Sequence, residues 1–147
     1  MEMKFTPVGI VHSPFKKKDD IAIEKCIDPG GFDDVHGELE IYPAYSKGLE
    51  DIDGFSHLFV LFLFHRAERG HLLVRPPHDR KERGVFSTRS PHRPNPLGLS
   101  VVRLLERSGS TLKVAGVDMI EGTPILDIKP YTPSELKKNA CFGWLEA

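Results

Sequence analysis

Cysteine is nearly absent from this chain of 147 residues. Cys26 and Cys141 stand far apart and without metal-ligand spacing, so neither a disulfide framework nor a zinc site is implied. Long apolar runs are also missing. The longest, LFVLFLF at 58–64, falls far short of the roughly 20 residues that cross a bilayer and fits a buried strand. The N-terminal MEMKFTPVGI has neither the basic nor the apolar region of a signal peptide, so a cytoplasmic location is the expectation. Charge of one sign is missing as well. Twenty Lys/Arg face 21 Asp/Glu, for a net charge of −1, which argues against an extended basic surface that coats nucleic acid. With 39% hydrophobic and 28% charged residues the chain is ordinary for a globular protein, and its length fits one domain, 1–147, with a real core.

Fingerprints are missing too. No GxGxxG follows a strand, and there is no P-loop, GxSxG elbow or HExxH helix. Helical periodicity is nearly absent. What is present is a series of short runs rich in Val, Ile, Phe and Leu: 4–13, 37–42, 57–65, 84–88, 99–107, 111–120 and 124–131, separated by Gly, Pro, Asp and Ser. SGS joins 99–107 to 111–120 as a hairpin turn. Run 57–65 is apolar on both faces, as expected of a strand covered by the core on one side and by a second chain or an added layer on the other. The one helix start is TPSELKKNA, with Thr132 as N-cap, Pro133 at the first position and Glu135 completing a capping box. The reading is a mainly β protein, a small antiparallel β-barrel with a short C-terminal helix. Residues 20–37 and 74–84 read as long loops.

Charge is concentrated in one window. From His65 to Arg93, eight Lys/Arg face three acids, a surplus of five, with four histidines (His65, His71, His78, His92); the rest of the chain carries −6. A cationic window in an acidic body points to a localised anionic ligand such as phosphate or carboxylate, against the plainer alternative of a solvated loop. Within it, RSPHRPNP at 89–96 sets Arg89 and Arg93 on a backbone stiffened by Pro91, Pro94 and Pro96. Such guanidinium forks suit carboxylate or phosphate, and Asn95 offers both a donor and an acceptor. The other polar cluster, DMIEGTPILDIKPY at 118–131, holds Asp118, Glu121, Gly122, Thr123, Asp127 and Lys129. Alternation places Asp127 and Lys129 on one face. Two readings stay open here: a rigid turn whose arginines pair with Asp118 and Asp127, or an anion clamp beside an acid that serves as a base.

GVFSTRSPHRPNPLGLSVV, DMIEGTPILDIKPY, GFSHLFVLFLFH, VRPP and PVGIVHSPFK, five blocks that fall along the chain in the right order, resemble the TsaA-like (TrmO) family over about residues 5–133. The resemblance implies a β-barrel methyltransferase that works as a homodimer with S-adenosyl-L-methionine as methyl donor. It implies tRNA as partner, methylated on N6 of N6-threonylcarbamoyladenosine beside the anticodon. By similarity, donor contacts fall on Asp28, Pro29, Gly30, His65, Arg66, Arg89, Leu99, Ile120, Glu121, Gly122 and Thr123. Beside the resemblance, Arg93 is an anion-binding candidate of the reaction, and Asp127 is the candidate base for the weakly nucleophilic nitrogen. Arg69, Arg75, Arg80, Lys81, Arg83, Asn95 and Lys129 form the candidate tRNA surface. No metal is expected. Where the family loop reads roughly Pro-Arg-Gln-Pro, this chain has KCIDPGG, and longer relatives carry a C-terminal extension. The competing functions are a methyltransferase on a small carboxylate-bearing metabolite and a non-catalytic module that binds the donor or a modified nucleoside.

Overall fold

The computed structural model describes residues 1–22, 25, 28–77 and 79–146; Cys26 and His78 lie outside the described residues. Eight strands form among the described residues: β1 Gly9–His12, β2 His36–Ile41, β3 His57–Leu63, β4 Leu73–Val74, β5 Arg83–Gly84, β6 Leu97–Ser108, β7 Thr111–Ala115 and β8 Pro124–Pro130. Six of them close into one antiparallel ring, in the order β1-β2-β7-β6-β3-β8 with β8 returning to β1. The pair β4–β5 is a separate two-stranded hairpin inside the cationic window.

Alternation along the strands builds the core. In β3 the inward residues Leu58, Val60 and Phe62 are buried. They meet Val102 of β6, Leu112 and Val114 of β7, Ile125 of β8, Val11 of β1, and Leu39 and Ile41 of β2 in one cluster. The long β6 serves two neighbours: Leu97–Arg103 pairs with β3, and Arg103–Ser108 pairs with β7 past an irregularity between Leu104 and Glu106. Gly98 opposite Phe62 is a packing requirement, because a Cβ at 98 would collide with the Phe62 ring. The outward residues of the same two strands stay apolar: Phe59, Leu61 and Leu63 lie opposite Val101, Leu99 and Leu97.

Three expected elements change. Run 84–88 is not a strand. After Gly84 the chain makes a 3-10 turn, Val85–Ser87, because the Ser87 and Thr88 hydroxyls donate back to the Gly84 and Val85 carbonyls. That is a local alternative to a sheet ladder. Run 111–120 stops as a strand at Ala115, since Gly116 takes φ 101°. The short C-terminal helix is one 3-10 turn, Pro133–Glu135, and no capping box forms: the Thr132 hydroxyl pairs with Ser134 instead. Leu136 after it is exposed, so no apolar face rewards further turns. No α-helix occurs among the described residues, and none of their helices is long and apolar enough to cross a membrane.

Replacing Gly98 by Ala is expected to displace the Phe62 ring and to destabilise the fold by roughly 1–3 kcal/mol, an overpacking cost. Thermal unfolding followed by circular dichroism measures it, and an unchanged midpoint would show that the ring has room to move.

Candidate functional site

The chain leaves β7 at Gly116 and folds back over one end of the ring before entering β8. This return is hooked onto β1. The Gly122 amide donates to the Val11 carbonyl, Val11 donates to the Thr123 carbonyl, and Glu121 donates to the Phe15 carbonyl. Gly122 takes φ 81°, which a side chain would strain. Asp118, Met119, Ile120 and Thr123 are thereby set against the end of β3, where Phe62, Phe64, His65 and Arg66 emerge. Lys18 and Ile21 close another side, and Pro91 and His92 a third. The result is a mostly apolar cleft of about 170 Å³, open to solvent on one side.

Asp118 is the only acid among the described residues that line it. Its Oδ1 accepts a 2.6 Å hydrogen bond from Ser100, an inward-facing residue of β6. Burial pushes the Asp118 carboxyl above the ordinary range; the Ser100 hydroxyl and the nearby Arg89 charge oppose the shift without reversing it. His65 is shifted down by burial and by Arg66, which favours the neutral imidazole at pH 7. The tautomer of His92 follows from its partners. Nδ1 lies 2.8 Å from the Glu68 carbonyl and must donate, while Nε2 lies 3.2 Å from the Lys18 ammonium and must accept. Around the back of the return, His12 Nδ1 lies 2.8 Å from Glu121, and the Ser13 amide donates to the other Glu121 oxygen at 3.1 Å. Glu121 raises the His12 pKa against the effect of burial, with Glu40 adding to it. Burial works against the Glu121 carboxylate, yet the Ser13 amide, His12 and Lys16 together hold it below its ordinary value.

Of the residues expected at a donor site, His65, Arg66, Ile120 and Thr123 come together in this cleft from segments 55 positions apart. The Arg89 guanidinium donates to the Leu99 carbonyl, near enough to Asp118 for its charge to act there, while the Leu99 side chain points outward. Glu121 and Gly122 support the return from behind. Asp28, Pro29 and Gly30 form an exposed turn and are not among the cleft's lining residues. Arg93 braces its own loop, donating to the Thr88 and Ser90 carbonyls at 2.9 and 3.1 Å, and Asn95 is exposed. Asp127 and Lys129 share the outer face of β8 as a 2.8 Å ion pair, outside the cleft lining; that pairing raises the Lys129 pKa.

The basic loop is partly engaged. Arg83 pairs with Asp79 at 2.7 Å and lies 4.8 Å from the Trp144 ring, whose indole N–H donates to the Ser87 carbonyl. Arg69 reaches the Pro94 carbonyl, whereas Arg75, Arg80 and Lys81 are exposed. Sequence reasoning gave Asp118 only a pairing role and passed over Met119, Phe62, Phe64, Lys18 and His92. One signal was available. Alternation in LGLSVV puts Ser100 between Gly98 and Val102 on the inner face, and a buried hydroxyl there requires a partner.

The ring and its end-on cleft define a mainly β protein with a mostly apolar cleft bordered by Lys18, His65, Arg66 and His92. The chain belongs to the family described as tRNA-methyltransferase O N-terminal domain, which matches residues 10–135. A probable S-adenosyl-L-methionine-binding protein of Pyrococcus abyssi is 47% identical over 97% of this chain and 76% of its own length. The tRNA (adenine(37)-N6)-methyltransferase of Escherichia coli is 38% identical over 88% of this chain and 58% of its own. The crystal structure of TrmO from Pseudomonas aeruginosa superposes with a TM-score of 0.79 at 36% identity, covering 98% of this chain and 63% of that one. This chain thus spans less than two thirds of those two proteins.

Because folded Asp118 holds its proton to higher pH than the unfolded chain, whose value is near 3.8, ionising it costs stability as pH rises through that interval. Asp118→Asn, which keeps an acceptor for Ser100, is therefore expected to raise the melting temperature at pH 7 by about 2–4 °C, a gain that fades below pH 4. A variant that melts lower at pH 7 would show that the charge is compensated.

Proposed function

We propose that this chain is an S-adenosylmethionine-dependent tRNA methyltransferase of the cytoplasm, acting on N6 of N6-threonylcarbamoyladenosine beside the anticodon. The observation that carries the reading is the cleft itself, where residues expected to contact a donor converge from the end of β3 and from the return before β8. Its chemistry suits that donor: Lys18 and Arg66 on the rim complement a carboxylate, and Phe62, Phe64 and Met119 offer apolar and polarisable surface. Bound there, S-adenosylmethionine supplies a methyl group activated by a sulfonium, open to in-line displacement. The protein's part is to hold both reactants in line. Arg75, Arg80 and Lys81 are exposed cations and offer a surface for tRNA phosphates.

The ring works, in this reading, as a small β-barrel in a homodimer. The outer face of β3 and β6 carries Phe59, Leu61, Leu63, Leu97, Leu99 and Val101 side by side, an apolar surface of the kind that marks an interface. Asp127 borders that face opposite Leu61 and is the proposed acceptor of the N6 proton, offered across the interface to the partner's substrate.

Incubation of the protein with S-adenosylmethionine and tRNA bearing threonylcarbamoyladenosine, followed by nucleoside mass analysis, is expected to show a gain of one methyl group on that nucleoside. No gain, with the donor bound, would move the substrate to a small metabolite. Asp127→Asn is expected to lower the methylation rate at least tenfold with donor binding unchanged; full turnover would remove Asp127 from the reaction. Light scattering at micromolar concentration is expected to give a dimer, and Val101→Asp a monomer. A wild-type monomer would leave the apolar face without a partner.

A further inference from the structure

The cleft has an uneven arrangement of charge that the donor reading alone does not explain. Its rim is cationic, with Lys18 and Arg66, whereas its floor holds one carboxylate, Asp118, among Phe62, Phe64 and Met119. Keeping an acid there is costly, because burial disfavours its charged form. Yet the surroundings are built to retain it. Ser100, buried on the inner face of β6, gives its hydroxyl to Oδ1 at 2.6 Å, and the Arg89 charge also favours the ionised form. A purely structural partner for Ser100 needs no charge. A carboxylate facing an apolar cleft suits a ligand whose own charge is positive.

We infer that Asp118 is the group that receives the positive charge of the methyl donor and so distinguishes the sulfonium donor from its neutral thioether product. The inference rests on the donor reading above. A sulfonium has no hydrogen to donate, so it is recognised by an opposite charge and by aromatic faces rather than by hydrogen bonds. Phe62 and Phe64 meet edge to face at 5.0 Å and line the same cleft as Asp118. The same ligand carries a carboxylate at its far end, which the Lys18 and Arg66 rim complements. After transfer the ligand has lost its central charge. Its attraction to Asp118 falls, which favours release of the product in exchange for fresh donor.

Calorimetric titration of the whole protein with S-adenosylmethionine and, separately, with S-adenosylhomocysteine tests this without any methyl acceptor. Asp118→Asn is expected to weaken S-adenosylmethionine about tenfold more than S-adenosylhomocysteine. An equal loss for both ligands, or no loss for either, would overturn the inference in favour of a structural Asp118. Failure of the wild-type protein to bind either ligand would instead remove the donor reading and this inference with it.

Ser100→Ala supplies a second readout that keeps the carboxylate. Arg89 beside Asp118, and Lys18, His65, Arg66 and His92 on the other walls, are unchanged in it. Without the hydroxyl the carboxylate ionises at higher pH, so the pH at which preference for the charged ligand sets in is expected to move upward. An unmoved onset would count against Asp118 as the discriminating group.

Discussion

The closure of the ring between β1 and β8 is the constraint on which the cleft depends. The two strands share only two register pairs, Gly9 with Ile125 and Ile10 with Pro124. The seam is lengthened by backbone bonds from Val8, Val11, Glu121 and Gly122, which belong partly to the return before β8. Those bonds both shut the ring and fix Asp118, Met119, Ile120 and Thr123 over its end. The contacts of Glu121 with His12, Ser13 and Lys16 reinforce the same seam from outside, so the site is held by the fold's own closing hydrogen bonds rather than by a mobile loop.

Segment 89–96 plays a different part from the one its charge suggests. Three prolines and the Arg93 bonds to Thr88 and Ser90 make it rigid, and the Phe64 amide fastens its end by donating to the Pro96 carbonyl. Arg93 spends its donors on the loop itself. Rigidity delivers Arg89 to the side of Asp118 and presents Pro91 and His92 to the cleft. Of the two jobs left open in sequence, bracing is the one Arg93 performs within the chain.

Much of this was legible in the sequence wherever alternation of apolar and polar residues is strong. β1, β2, β3, β6 and β8 fall within the runs read as strands or within two residues of them at the site-forming ends, except that β1 begins later than its run, at Gly9. Elements set by side chains that bond back to the backbone were not legible. Ser87 and Thr88 turned a strand-like composition into a 3-10 turn, and Gly116 ended β7 through its φ rather than its polarity. At the site, His65, Arg66, Ile120 and Thr123 were recoverable from resemblance, while Asp118 was read only as a partner for the arginines. Its role depends on Ser100, 18 positions earlier, and the one signal for that pairing was the alternation of LGLSVV, which faces this hydroxyl inward.

The alternation of β6 has one more consequence. Leu99 and Val101 on the outer surface flank Ser100 on the inner one, so adjacent peptides of a single strand serve an apolar face and the cleft carboxylate. A substitution at Leu99 or Val101 that shifted the backbone of this strand would therefore also displace Ser100, and with it the hydrogen bond that holds Asp118.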